Sequence, residues 1–300
     1  MYERLCRAVK GNLEPSDSHL LGTSFSCHLP YPSSLTFTTD HPSAQTLDSI
    51  LAQTYRDFEL LIWDDGSTDN SVEIAQHYAR IDPRVHVIAF PKNQGLSVSL
   101  RAAIAATSGQ YLGWVDSDDL LAPTALEATV AVLVQSPHIG LVYTNYNLID
   151  EQGRDCGLGK LCRTPYSKEQ LLVDFMTFHF RLIRRTVYDQ VGGLDDSLEV
   201  SEDYNLCLKL SEVTEVQHLD QTLYYYRRHS NNITRDRLNT LHWTQQVIRL
   251  ALSDSGNSFH DWATGNDRSR PIQGTETRTL EDHARKVVQL VWQEILKDQK

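Results

Sequence analysis

Between about Ser34 and Ile149 the apolar residues alternate between two spacings. Phe58 to Trp63 is a short, largely apolar run that ends in acidic residues, the signature of a buried strand with a loop at its carboxyl end. Ile74, Ala75, Tyr78 and Ala79 then recur at helical spacing, and Asn70 with Glu73 fits a capping box in front of them. Val85 to Phe90 predicts a second strand, and Leu100, Ala103 and Ile104 mark the buried face of a second helix. Tyr111 to Val115 is another strand that ends in acids. Pro123 opens the next helix at a position that tolerates proline, with Leu126, Val130, Leu133 and Val134 as its apolar stripe. Leu141 to Ile149 is a further strand. This βαβα order predicts an α/β fold: a mostly parallel sheet with helices on both faces. Ligands in such sheets bind beyond the carboxyl ends of the strands, where both acidic clusters fall.

The flanks have a different texture. Residues 1–33 are irregular, with scattered Ser, Pro and His. Pro30 and Pro32 remove ladder donors, so the first strand is expected to be short, over Ser34 to Thr38. Residues 253–279 are polar and rich in Ser, Gly, Asp and Arg, and predict a linker. Leu280 to Lys297 has helical spacing, with Ala284, Val287, Val288, Val291 and Ile295 on one face. That helix would pack back on the domain, or meet a second copy or a membrane surface. The expected division is an irregular segment 1–33, a catalytic-type α/β domain 34–240, and a helical tail with its polar linker, 241–300.

Composition narrows the function. The 300 residues are 40% hydrophobic and 22% charged, ordinary for a globular protein, and the formal net charge is -11. An acidic surface repels phosphate backbones, so nucleic acid is not an expected partner. No apolar run is long enough to span a membrane, and Met1 to Lys10 lacks the apolar core of a secretory signal. Cys6, Cys27, Cys156, Cys162 and Cys207 are odd in number and form no C-x-x-C pair, which fits reduced thiols. A cytoplasmic location, or one peripheral to the inner membrane face, is the expectation.

Three acidic clusters carry the candidate chemistry. Asp64-Asp65-Gly66-Ser67-Thr68-Asp69-Asn70-Ser71 follows a strand, and Asp65 could accept the imide N–H of a pyrimidine base. The same run also serves as a turn that caps the next helix. Asp116-Ser117-Asp118-Asp119 again follows a strand, and alternate acids there can hold a hard divalent cation against a diphosphate. Taken alone, such a pair is common in loops. Glu202-Asp203 precedes Leu206, Cys207 and Leu210 of a helix, where an Asp is first of all a cap. Gly192-Gly193-Leu194-Asp195 stands before it, and Tyr226-Arg227-Arg228-His229 with Asn232 and Thr234 stands after it.

Together with Ser49-Ile50-Leu51-Ala52-Gln53-Thr54-Tyr55-Arg56-Asp57-Phe58-Glu59-Leu60 and Asn93-Gln94-Gly95, these clusters resemble the family-two glycosyltransferases of the GT-A fold. The likeness runs from Leu47 to about Thr234, with the motifs in family order and at family spacing. It implies roles by position. Asp65 contacts the nucleotide base, with Thr36 and Gly95 as further nucleotide-binding positions. Asp116 lies near the ribose and Asp118 binds the metal, Mn²⁺ or Mg²⁺. Asp203 is the catalytic base, and His229 approaches the diphosphate or the metal. Arg101 stands one place away from an arginine usual in the family. The implied reaction moves a sugar from a nucleotide diphosphate sugar to a hydroxyl of a carbohydrate or lipid-linked acceptor, with inversion. The alternatives are an impaired nucleotide-sugar-binding module with a degenerate first strand, a structural partner subunit, and a nucleotidyltransferase, whose Gly-rich signature is absent.

Overall fold

The strand Phe58–Asp64 (β2) is buried at every residue, as its apolar run demands of a strand covered on both faces. In this computed structural model, which describes residues 35–39, 43–171, 174–198, 201–230, 232, 244 and 246–248, β2 lies between two parallel neighbours. Leu35–Thr39 (β1) pairs with it from Leu35 opposite Phe58 to Thr39 opposite Ile62. Val85–Ala89 (β3) flanks the other side, and Tyr111–Trp114 (β4) continues the sheet beyond β1. The described first strand is Leu35–Thr39, and both its ladders are made. Pro30 and Pro32 lie outside the described residues.

The sheet is mixed rather than mostly parallel. Arg181–Arg184 (β8) pairs antiparallel with β4, starting at the carboxyl edge of β4 and running back along it. Ile139–Ile149 (β6) pairs antiparallel with β8 and parallel with Glu215–Arg227 (β9). Leu120–Leu121 (β5) pairs antiparallel with β9, and Asp155–Leu158 (β7) forms a hairpin on β6. The order is β3-β2-β1-β4-β8-β6-β9-β5. The β3-β2-β1-β4 half and the β6-β9 pair are parallel; antiparallel β8 separates them.

Helices cover both faces. Leu60 and Ile62 pack with Ala44–Leu51 (α1), Ser71–Ile81 (α2) and Ala125–Gln135 (α4) through Leu47, Ile50, Ala75, Leu126, Val130 and Leu133. Leu61 and Trp63 point the other way, against Ala103 of Leu96–Ala105 (α3). A second cluster joins Ile104 to Arg185–Gln190 (α6) and Glu202–Val213 (α7). Lys168–Leu171 (α5) is a single turn that precedes α6 in sequence. Val247 and Ile248, beyond residue 240, are buried in this second cluster. The 253–279 linker and the Leu280–Lys297 helix fall outside the described residues.

Two local expectations differ. Asn70 makes no side-chain bond at the start of α2; the Asp69 carboxylate accepts the Ser71 N–H instead, at 2.9 Å. Val134 is 61% exposed, because Leu126, Val130 and Leu133 share one helical face and Val134 sits past its edge.

The polar residues of the segment before β2 act as a splint. Ser43 caps α1 by accepting the Thr46 N–H. The Gln53 amide donates to Ala122 O at 2.7 Å and accepts the Leu126 N–H at 3.0 Å. Leu121 N–H donates to the Ser49 hydroxyl. The helix thereby ties down the segment that leads from β4 into α4. Gln53→Leu should cost about 1–3 kcal/mol, since it leaves the buried Leu126 N–H unsatisfied. Thr54→Val, which loses only an exposed bond to Glu127, should stay within about 0.5 kcal/mol. Thermal unfolding checks the pair; equal losses would show that the splint is not selective for the buried bond.

Candidate active site

At the carboxyl end of β2, Asp64 closes the turn on itself. Its carboxylate accepts the Gly66 and Ser67 N–H groups, each at 3.2 Å, and the Ser67 hydroxyl. Gly66 has φ +85°, and a Cβ there would lie 2.7 Å from Asn93 N, so the turn and the 92–93 loop touch only through glycine. Asp65 is buried and reaches across to that loop, accepting Gln94 N–H at 2.8 Å and Gly95 N–H at 2.9 Å. Gly95 precedes α3 with φ +96°. Asp65 and Gly95 are therefore joined to each other. Thr36 lies mid-strand in β1, paired with Glu59 and Leu112, and its side chain is outside the described part. Arg101 donates to Leu194 O, in the turn before α7.

The second acidic loop follows β4 and is held on every side. Ser43 N–H and the Thr46 hydroxyl both donate to Ser117 O at 2.8 Å. Asp119 is fully buried; one carboxylate oxygen accepts the Tyr224 hydroxyl at 2.8 Å and the other the Arg227 N–H at 2.7 Å. The Tyr224 oxygen in turn accepts the Asp116 N–H at 3.2 Å. Arg227 Nε donates to Asp118 O at 2.7 Å, and its other nitrogens reach Asp150 O, Glu151 O and Gln45 Oε1. The β5–β9 pairing, Leu121 opposite Tyr224, delivers these partners.

Asp116 and Asp118 are left facing the site. Asp118 Oδ2 lies 2.5 Å from His229 Nε2, and Asn232 fixes that histidine's backbone by accepting its N–H. Asp116 lies 3.7 Å from His179 Nε2. The His179 ring stacks between Tyr224, 4.6 Å away at 6°, and Tyr226, 5.8 Å away at 19°. Asp203, in the first turn of α7, pairs with Arg181 at 2.9 Å.

The charges interact as one group. Burial raises the Asp116 carboxyl to about 6; Arg181 opposes the rise, while Asp203 and Asp118 add to it. Nearly half of that side chain is open to solvent, so its burial comes from the protein around it rather than from full coverage. Burial likewise lifts Glu202 to about 8, with Asp203 adding to it. Asp119 is pushed well up by burial and by Asp116, against the bonds from Arg227 and Tyr224. Burial and Arg181 hold His179 neutral, well below the usual imidazole range.

Thus Asp116, Asp118, Asp203 and His229 share one electrostatic cluster at the strand ends, with Asp65 and Gly95 at the neighbouring strand end. His179, Arg181, Tyr224 and Arg227 were not anticipated, although the alternation Phe178-His179-Phe180-Arg181 marks a strand with a polar face. Oxygen donors with an imidazole suit Mn²⁺ or Mg²⁺. Among the described residues, donor atoms of Asp116, Asp119 and His179 come within 4.8 Å of one another. Both Asp119 oxygens already carry bonds, to Tyr224 and to Arg227.

Parallel β3-β2-β1-β4 with acid-ended loops, continued by antiparallel β8, is the GT-A arrangement. Staphylococcus aureus TarS 1-349, solved with UDP-GlcNAc, matches it with TM-score 0.60 over 77% of this chain and 70% of that one, at 18% identity. A mannosyltransferase from Pyrobaculum calidifontis, solved with GDP-Man and Mn²⁺, gives TM-score 0.57 over 100% and 95% of the two chains, at 14% identity. In sequence, the family model "Glycosyl transferase family 2" matches residues 42–192. The chondroitin synthase of Pasteurella multocida (strain Pm70) is 32% identical over 194 residues, 65% of this chain and 20% of that protein's length. The chain belongs to glycosyl transferase family 2. It spans about a fifth of the length of that synthase.

Tyr224→Phe removes the hydroxyl that bridges Asp119 to the Asp116 N–H. Leaving a buried polar group unsatisfied costs about 1–3 kcal/mol, and stability should fall by that amount in denaturant unfolding. An unchanged midpoint would mean that the loop is held without Tyr224.

Proposed function

We propose that this chain transfers a sugar from a nucleoside diphosphate sugar to an acceptor hydroxyl with inversion at the anomeric carbon. The observation that carries the reading is the gathering of Asp203 with Asp116 and Asp118 at the strand ends, beside the Asp65–Gly95 loop. Asp203 takes the acceptor proton as that oxygen attacks the face away from the diphosphate. Asp118 and His229 hold a divalent cation, with Asp116 beside them near the ribose. When bound, that cation neutralises charge on the departing diphosphate, so no second catalytic carboxylate is required. Asp65 keeps a free lone pair on each oxygen after accepting Gln94 and Gly95, and one of them receives a base N–H. Thr36 and Gly95 complete the nucleotide side. The resemblance to a chondroitin synthase favours a sugar-polymer acceptor.

A panel of nucleotide sugars with Mn²⁺ tests the reading through donor hydrolysis, in which water replaces the acceptor. One donor should turn over; binding without turnover of any donor would contradict the enzymatic reading. Asp118→Asn keeps the loop, because Arg227 holds the Asp118 carbonyl, and should abolish Mn²⁺-dependent turnover while the circular dichroism is retained. Turnover at the wild-type rate would remove Asp118 from the metal. Asp203→Asn should slow turnover by about 10²–10⁴-fold and leave donor affinity nearly intact. Loss of affinity in step with rate would make Asp203 a helix cap and nothing more.

A further inference from the structure

Arg181 is a charged residue in a strand, with only 3% of its surface exposed. It opens β8, opposite Tyr143 of β6. Its neighbours Phe180 and Leu182 pack into the first core, and Ile183 packs into the second, so Arg181 belongs to the α7 face. A buried guanidinium is costly unless it is paired and positioned. Its guanidinium carbon lies over the rings of Trp114 and Phe175, 5.4 Å from each centroid. One nitrogen donates to Thr177 O at 3.2 Å, and another meets Asp203 Oδ2 at 2.9 Å. The second oxygen of Asp203 accepts the Tyr204 N–H at 2.7 Å. The Tyr204 side chain is anchored in turn by its bond to Leu171 O. Burial works against the charge, but Asp203, Cys207 and Asp116 outweigh it, so the guanidinium stays protonated.

We propose that Arg181 is the positioning residue of the reaction: a clamped guanidinium that fixes the Asp203 carboxylate in the direction of the acceptor oxygen and offsets the charge of Asp116 beside it. The inference rests on Asp203 as the base. Each Asp203 oxygen has one fixed donor and one lone pair left, so the carboxylate cannot swing, yet it still accepts a proton. A lysine would keep the charge but lose the planar fork and the ring stacking that set the direction.

The test is a double-mutant cycle on donor hydrolysis in the full chain, with binding of UDP or GDP, whichever binds the wild type, measured alongside. A reacting group misplaced by about 1 Å loses on the order of 100-fold in rate. Arg181→Gln should therefore lower kcat by about 10–100-fold and shift donor KM by no more than about threefold. Arg181→Lys should recover less than about a third of the lost rate. Adding Arg181→Gln to Asp203→Asn should slow the reaction by no more than about threefold beyond Asp203→Asn alone, because the two act through one carboxylate. Full activity in Arg181→Lys, or losses that multiply in the double variant, would overturn the proposal. An Asp203→Asn chain as fast as wild type would instead remove the base reading beneath it. If Arg181→Gln fails to fold, the cycle is run with Arg181→Lys and with the double variant, in which both members of the Arg181–Asp203 pair are removed together.

Discussion

The site depends on the buried carboxylate of Asp119. It has no solvent, and it receives one donor on each oxygen: the hydroxyl of Tyr224 and the backbone N–H of Arg227. A buried carboxyl group is tolerated only with such partners. Those two bonds cross more than 100 positions of sequence and fasten the loop after β4 to the end of β9. With Asp119 committed to the scaffold, Asp116 and Asp118 project into the site from a fixed backbone. Arg227 reinforces this by holding the Asp118 carbonyl with the same side chain that reaches Gln45 on α1.

The other half of the site is built from the antiparallel strand. β8 brings His179 and Arg181 up between β4 and β6, and α7 brings Asp203 down onto Arg181. Three acids, Asp116, Asp203 and Glu202, then crowd the buried Arg181, while Asp118 faces His229. Burial and mutual repulsion raise Asp116 and Glu202. An added divalent cation relieves this repulsion, which links the chemistry of the residues present to the metal that the proposed reaction uses.

Much of this was legible in sequence, for definite reasons. β2 and β4 are interior strands buried at every residue, and such strands declare themselves as apolar runs. The acids at their ends mark the ligand edge. What stayed hidden depends on pairing between distant segments. β8 contains Arg181, a residue that argues against a buried strand until Asp203, Trp114 and Phe175 surround it. β9 pairs with β6 along its whole length, yet its first half is mostly polar and not buried; burial begins at Leu223 and Tyr224, where β5 joins it. Asp118 and Asp119 look alike in a sequence. Their difference, one open to the site and one locked inside, arises from Tyr224 and the register of β9.

That difference is the centre of the account, and anomalous diffraction at the manganese edge measures it directly, on crystals of the full chain grown with MnCl₂ and a nucleoside diphosphate. The account predicts a peak at about the 2.0–2.2 Å bonding distance from a carboxylate oxygen of Asp118, with both Asp119 bonds to Tyr224 and Arg227 intact. A peak coordinated by Asp116, Asp119 and His179, with the Asp119 carboxylate turned away from Tyr224, would contradict it.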